Sequence, residues 1–239
     1  MLSDAHCHFD ETDSLAKIQQ ENQMLALINC DSPAEWERNQ RFIGSYKNQV
    51  LSFGIHPWHA AAYTYEEVRD YLEKAEIIGE IGLDTLWTET PIDKQRKIFI
   101  QQLRYAYEKS KPVVLHTKAC EKEILSSIQS YPNKYLIHWY SSMEYQREYI
   151  EYGCYFTIGI DLMSNPAVRK LALQVPLDRL LIETDGIGAI EWVKGKRIAT
   201  TEYQEILKGH VHQLAQLRNV SDGVLEEILY ENLQNYLKK

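Results

Sequence analysis

Six apolar runs in this chain each end on a histidine or a carboxylate. They lead into Asp4-Ala5-His6-Cys7-His8, Gly54-Ile55-His56-Pro57, Gly79-Glu80-Ile81-Gly82-Leu83-Asp84, Val113-Val114-Leu115-His116, Leu136-Ile137-His138 and Leu181-Ile182-Glu183-Thr184-Asp185. Short apolar runs of this kind read as buried strands. A chain that delivers a polar group at the end of one such strand after another is building a common rim, which is the habit of parallel α/β folds. The two-residue repeat of a strand aims His6 and His8 to one side and turns Cys7 away from them, into apolar surroundings.

Helical signals lie between the runs. Ser32 followed by Pro33 starts a helix through Trp36 and Phe42, a capping hydroxyl ahead of a proline in the first turn. Thr64 begins another through Val68, Tyr71 and Leu72, and the longest runs from about Ile92 to Lys109 with Phe99, Leu103 and Tyr107 on one stripe. Further helices are expected over 121–129, over 145–152 with Gly153 as its stop, and over 165–174. Two more, near 201–217 and 222–237, close the chain. Strands over 24–30 and 154–160 join the six runs, and no linker interrupts the 239 residues. The pattern predicts one domain, residues 1–239, folded as a (β/α)8 TIM barrel, whose active site would lie at the C-terminal strand ends where every candidate group sits.

A formal net charge of -8 argues against a nonspecific nucleic-acid binder held by a basic surface. Cys7, Cys30, Cys120 and Cys154 show no C-x-x-C spacing and no basic-then-apolar segment opens the chain, so a reduced, cytoplasmic protein is expected. No apolar run approaches the ~20 residues of a membrane-spanning helix.

Taken in order, the candidates are a His-x-His on strand one, His on three, Glu on four, His on five, His on six and Asp on eight. This set resembles the TatD family of metal-dependent hydrolases, within the amidohydrolase-like barrels, and the matching motifs span most of the chain. The resemblance implies two divalent ions (Zn, Mn or Mg), with His6, His8 and Asp185 holding one, His116 and His138 the other, and Glu80 bridging. Mixed imidazole and carboxylate donors independently suit Zn²⁺ and Mn²⁺, and ions ~3.5–4 Å apart can activate water while clamping a phosphoryl oxygen. The resemblance also implies that Asp185 takes a proton from the attacking water, and that His56 contacts phosphate or the transition state instead of ligating. Read singly, His116 or His138 would be a hydrogen-bonded barrel histidine. Glu183 and Asp84 either support the ligands from outside or form barrel-end salt bridges.

The leading expectation is a deoxyribonuclease-like enzyme that cleaves phosphodiesters at DNA ends or in short single strands, acting on DNA or a small phosphoester as a monomer. The same activated water would serve carboxylic esters or amides, including aminoacyl esters on RNA, and a barrel retained only for binding is a third reading. Four segments depart from the family pattern: His116-Thr117-Lys118 where His-x-Arg is common, His138-Trp139-Tyr140-Ser141-Ser142, Gly186-Ile187-Gly188-Ala189-Ile190 after Asp185, and Lys194-Gly195-Lys196-Arg197. All are expected to be loops that choose the substrate. Lys118 keeps a cation but lacks the planar fork of arginine. Trp58, Trp87, Trp139 and Trp192 each follow a site candidate, and Trp58 and Trp139 are expected to touch substrate by stacking on bases or to pack as a lid. His59 reads as a solvated loop histidine. His210 and His212 diverge on a helix and are expected at the surface.

Overall fold

The structure, a computed structural model, describes residues 1–238. In chain order it forms β1 (Ser3–Cys7), α1 (Ser14–Glu21), β2 (Leu25–Cys30), α2 (Pro33–Ile43), β3 (Gln49–Phe53), α3 (Tyr65–Lys74), β4 (Ile77–Asp84) and α4 (Ile92–Glu108). There follow β5 (Val113–Lys118), α5 (Glu121–Gln129), β6 (Tyr135–Ile137), α6 (Gln146–Tyr152), β7 (Tyr155–Ile158), α7 (Pro166–Gln174), β8 (Leu180–Ile182), α8 (Ile187–Lys194), α9 (Tyr203–Arg218) and α10 (Asp222–Leu237). The helix starts behave as their side chains dictate. Ser32 Oγ accepts the Glu35 N–H ahead of α2, and Thr64 and Glu67 form a reciprocal capping box at α3.

All neighbouring strands are parallel and pair in sequence order from β1 to β8. The seam between β8 and β1 is closed by the Asp185 N–H on the His6 carbonyl at 3.0 Å and by a buried carboxylate. Asp4 accepts the Thr184 N–H at 3.1 Å and its hydroxyl at 2.5 Å, and also the Tyr203 hydroxyl of α9 at 2.6 Å. Burial pushes the Asp4 pKa up to about 7 against the pull of these bonds. Inside the barrel, Ala5, Leu27, Val114, Leu136 and Leu181 form one apolar cluster, which Leu233 and Tyr236 of α10 complete. A larger cluster fills the space between strands and helices.

Three sequence expectations change. His116-Thr117-Lys118 is not a loop but the end of β5, kept in the strand by its pairing with Gly82-Leu83-Asp84 of β4. The segment after Asp185 is not a loop: it forms α8, entered through Gly186 at φ +90° and anchored by buried Ile190. Two glycines in Gly186-Ile187-Gly188 conceal the helical period. His210 is not at the surface but buried on the Tyr203, Leu207, Val211, Leu214 stripe of α9, with Nε2 donating to the Ile158 carbonyl at 2.9 Å. His212 does face solvent, beside Asp222 at 2.8 Å. Cys7 is fully buried, as expected.

Burial lowers the His210 pKa to about 4 from the ordinary 6.5. A depressed histidine stabilises the fold fully above pH 6.5, and that contribution is lost as pH falls through 6.5 toward 4, because the unfolded chain takes the proton first. Between about pH 7 and 4 the metal-free wild type should therefore lose roughly 3 kcal/mol more stability than His210→Gln. Denaturant melts across that range measure it, and parallel pH curves for the two proteins would contradict the buried neutral imidazole.

Candidate metal centre

Two irregularities in the sheet aim the central side chains. Pairing slips by one residue between Asp4 and Cys7 in β1 and between Ile78 and Ile81 in β4, so a bulge lies at His6 and another at Glu80. A bulge re-aims a side chain while the strand continues. Gly82 then lets β4 approach β5, since a Cβ there would strike the His116 carbonyl.

Glu80 is buried at the middle of the centre, and its two oxygens face different groups of imidazoles. Oε2 lies 3.5 Å from Nε2 of both His6 and His8. Oε1 lies 2.6 Å from His138 Nε2, 2.7 Å from His116 Nδ1 and 3.5 Å from His56 Nε2. Asp185 stands on the first side, with Oδ1 3.3 Å from His6 Nε2 and 3.6 Å from His8 Nε2. The six expected ligands are thus gathered around one carboxylate, and His56 joins them.

Burial alone would raise the Glu80 pKa, but the His138, His56 and His6 rings hold it well below the carboxylate range. Burial likewise opposes charge on His138, yet Glu80 and Glu183 hold its pKa up at about 10. Asp185 stays low beside His6 and His8 despite its burial. His6 is pushed down by burial and by His138, with which it stacks at 4.0 Å between centroids. This is a cluster that wants a cation, and protons held on His138 and on His8, which Glu80, Asp31 and Asp185 push up against its burial, fill that part in the protein alone.

The donors present fit divalent metal. His6 Nε2 is buried with no hydrogen-bond partner, although two carboxylate oxygens face it. His6, His8 and Glu80 form one group able to hold an ion, and His56, Glu80 and His116 another. No thiol contributes, because Cys7 turns outward to the Leu27 carbonyl. Nitrogen and oxygen donors of this kind suit Zn²⁺, Mn²⁺ and, with fewer histidines, Mg²⁺.

Outer partners decide which ring nitrogen carries a lone pair. His116 Nε2 lies 2.9 Å from Asp84 Oδ2, so that nitrogen keeps its proton and Nδ1 is free to ligate. Asp84 remains ionised because bonds from His116, Trp58, Trp87 and Leu86 overcome the effect of burial. His138 Nδ1 faces Glu183 at 3.5 Å, which leaves Nε2 toward Glu80. His56 is different: its Nδ1 accepts the Trp58 N–H at 3.2 Å, so a neutral ring carries its proton on Nε2. The Asn29 amide nitrogen donates to His6 Nδ1 at 2.9 Å and its oxygen accepts from Ser52 Oγ at 2.6 Å, and turning that amide over would give the other His6 tautomer. The serine hydroxyl can donate or accept, so the amide oxygen can face His6 and free Nε2.

The expected substrate contacts fall into three environments. Trp58 is 48% exposed, stands edge-on to His56 at 5.1 Å and donates its indole N–H to Asp84 at 2.7 Å. Trp139 is buried, its indole N–H on Asp161 at 2.7 Å, so it meets neighbouring rings more than solvent. Lys118 Nζ is tied to the Trp139 carbonyl at 2.9 Å and Ser141 Oγ at 3.1 Å. Sequence reading missed Asn29, Asp31 and Asp161. Asn29 lies one residue before the end of β2, as His6 does in β1, and that position was the available signal. Asp31, pushed up to about 6 by burial, forms a further donor group with His8 and Glu35 that no spacing announces.

Comparison with known proteins agrees with this geometry. The chain matches the family described as TatD related DNase over residues 3–238. The metal-dependent hydrolase YcfH of Escherichia coli K12 is 28% identical, covering 98% of each chain. Human deoxyribonuclease TATDN3 is 24% identical over 99% of this chain and 93% of its own. The crystal structure of the TatD homologue YJJV from Escherichia coli superposes with a TM-score of 0.81 at 19% identity, over 97% of this chain and 95% of that one, which establishes the barrel. With a full-length family match, a shared barrel and a donor cluster at its C-terminal rim, the chain belongs to the TatD family of metal-dependent hydrolases.

Proposed function

We propose that this protein is a phosphodiesterase of nuclease type that works with two divalent ions at the Glu80 centre. The observation that carries the reading is the division of Glu80: Oε2 faces His6 and His8, while Oε1 faces His116 and His138. A carboxylate so divided is suited to bridge two ions. His6, His8 and Asp185 would hold one and His116 and His138 the other. Bound there, the pair supplies an activated water and charge neutralisation for a phosphoryl oxygen. The deoxyribonuclease name borne by the human relative supports the choice of bond.

The protein's own groups complete the chemistry. Asp185, held ionised by His6 and His8, takes the proton of the attacking water. His56, whose Nδ1 is occupied by the Trp58 N–H, offers its Nε2 proton to the phosphoryl oxygen as charge grows there. Asp84 fixes the His116 tautomer, and Glu183 places its charge 3.5 Å from His138 Nδ1. Trp58 borders His56 and contacts the substrate beside it, and Lys118, bonded to Trp139 and Ser141, holds the β6 loop.

Three measurements test this. Purified protein should bind two divalent ions per chain, and Glu80→Gln should lower that number while leaving the fold intact by circular dichroism. Unchanged metal content would remove the bridging role. Asp185→Asn should reduce turnover of an oligonucleotide by at least ~10², the usual loss of a general base; near-wild-type turnover at saturating metal would dismiss that assignment. On a panel of phosphodiester, aminoacyl-ester and cyclic-amide substrates, phosphodiesters should be turned over fastest. Turnover confined to carboxylic esters or amides would replace the phosphodiesterase reading with acyl hydrolysis.

A further inference from the structure

The rim around the metal centre is, among the described residues, nearly devoid of positive charge. None of the eight loops leading from a strand into the next helix contains lysine or arginine. Lys118, at the end of β5, is tied to Trp139 and Ser141, and Lys194, Lys196 and Arg197 come only at and after the end of α8. The same rim exposes Trp58, Leu86, Trp87, Met143, Met163 and Trp192, each by 48% or more. Apolar side chains gathered this way mark a binding surface.

Three of the indoles form a continuous arch. Trp87, on the loop after β4, meets Trp192 of α8 edge to face at 6.0 Å, and Trp192 meets Trp139 at 6.2 Å. β4 and β8 lie four strands apart in an eight-stranded barrel, so the Trp87–Trp192 contact reaches across the mouth. Both ends are anchored to the metal centre. The Trp87 N–H donates to Asp84 Oδ1 at 2.8 Å, and Asp84 Oδ2 holds His116 at 2.9 Å. Trp139 directly follows His138, is fixed by Asp161 at 2.7 Å, and fits where Gly159 leaves room for its ring. Trp139 is the fixed support; Trp87 and Trp192, 55% and 64% exposed, are the open faces.

We propose that Trp87 and Trp192 form a clamp for an unpaired nucleobase next to the reacting phosphate. The proposal rests on the phosphodiesterase reading above and adds the residues that grip the substrate: a base held by stacking on Trp87 and Trp192 instead of a strand held by backbone charge. A flat base entering between the rings exchanges one edge-to-face contact for stacked faces, and stacking on aromatic side chains accepts any base. A base in a duplex is already stacked and paired, so it is not free to enter. A rim without cations cannot track a run of phosphates, which leaves the metal centre as the one phosphate grip.

The test uses full-length, Mn²⁺-loaded protein and two probes, a thymidine pentanucleotide and the same backbone with every position abasic. The pentanucleotide should quench tryptophan fluorescence and bind roughly tenfold more tightly than the abasic probe. Trp87→Ala and Trp192→Ala should each lose about that factor for the pentanucleotide and none for the abasic probe, while Trp87→Phe and Trp192→Phe retain most of it. The salt dependence should be shallow, with a slope of log K against log salt near about −1, since each single-strand phosphate contact contributes about −0.7. Equal binding of both probes, equal losses on both, a slope steeper than about −3, or quenching by an aliphatic acyl ester alone would overturn the clamp. Quenching that depends on Trp87 and Trp192 without any phosphodiester turnover in the wild type keeps the clamp and refutes the hydrolytic reading. Equal turnover of both probes without quenching does the reverse.

Discussion

Everything in this molecule that bears on chemistry is arranged around one buried negative charge. Glu80 has been taken out of water, where an unpaired carboxylate would be neutralised by protonation, and it stays ionised because imidazoles crowd both of its oxygens. The imidazoles cannot all accept a proton at such separations, as the lowered His6 and His56 and the raised His138 make plain. A divalent cation resolves that conflict better than a proton does, since several lone pairs can share it. The outer groups extend the same logic, with Asp84 holding a proton on the far side of the His116 ring and Glu183 placing its charge beside His138 Nδ1.

The barrel is what makes so dense a cluster tolerable. The candidate donors gather at the C-terminal ends of the strands, while the interior below is filled by Ala5, Leu27, Val114, Leu136 and Leu181 and floored by α10. The bulges at His6 and Glu80 change the direction of two side chains without breaking the sheet. Closure at the seam depends on Asp4, whose bonds to Thr184 and Tyr203 hold β1 beside the segment carrying Asp185. The first and last ligands of the sequence therefore become neighbours through a residue that is not itself at the centre.

Around this centre the surface has its own character. A net charge of -8 and rim loops without cations leave little to attract a long polyanion, and exposed indoles stand where basic side chains would be expected for a backbone binder. The departures from the family pattern noted in the sequence concentrate there. Lys118 supports the β6 loop, Trp139 props Trp192, and the segment after Asp185 becomes a helix that carries Trp192 to the rim.

The sequence by itself determined the barrel and put the six candidate donors, which the family resemblance singled out, at the C-terminal strand ends, because strand burial has a local signature in apolar runs, and parallel strands must all end on the same side. It also determined that Cys7 turns away from His6 and His8, since alternation along a strand is local geometry. It misplaced His210, because the apolar stripe of α9 was visible while the Ile158 carbonyl that makes a buried histidine tolerable comes from a strand about fifty residues away. It missed Asn29 and Asp161, whose partners lie 23 and 22 residues off in the chain. It missed α8 because glycines interrupt the period. Only the tertiary structure decided which Glu80 oxygen faces which rings, which nitrogen of each histidine is free, and which tryptophans stand open over the centre. Those outcomes depend on the closure of β8 against β1 and on contacts between loops remote in sequence, and pairwise geometry of that kind leaves no trace in local residue order.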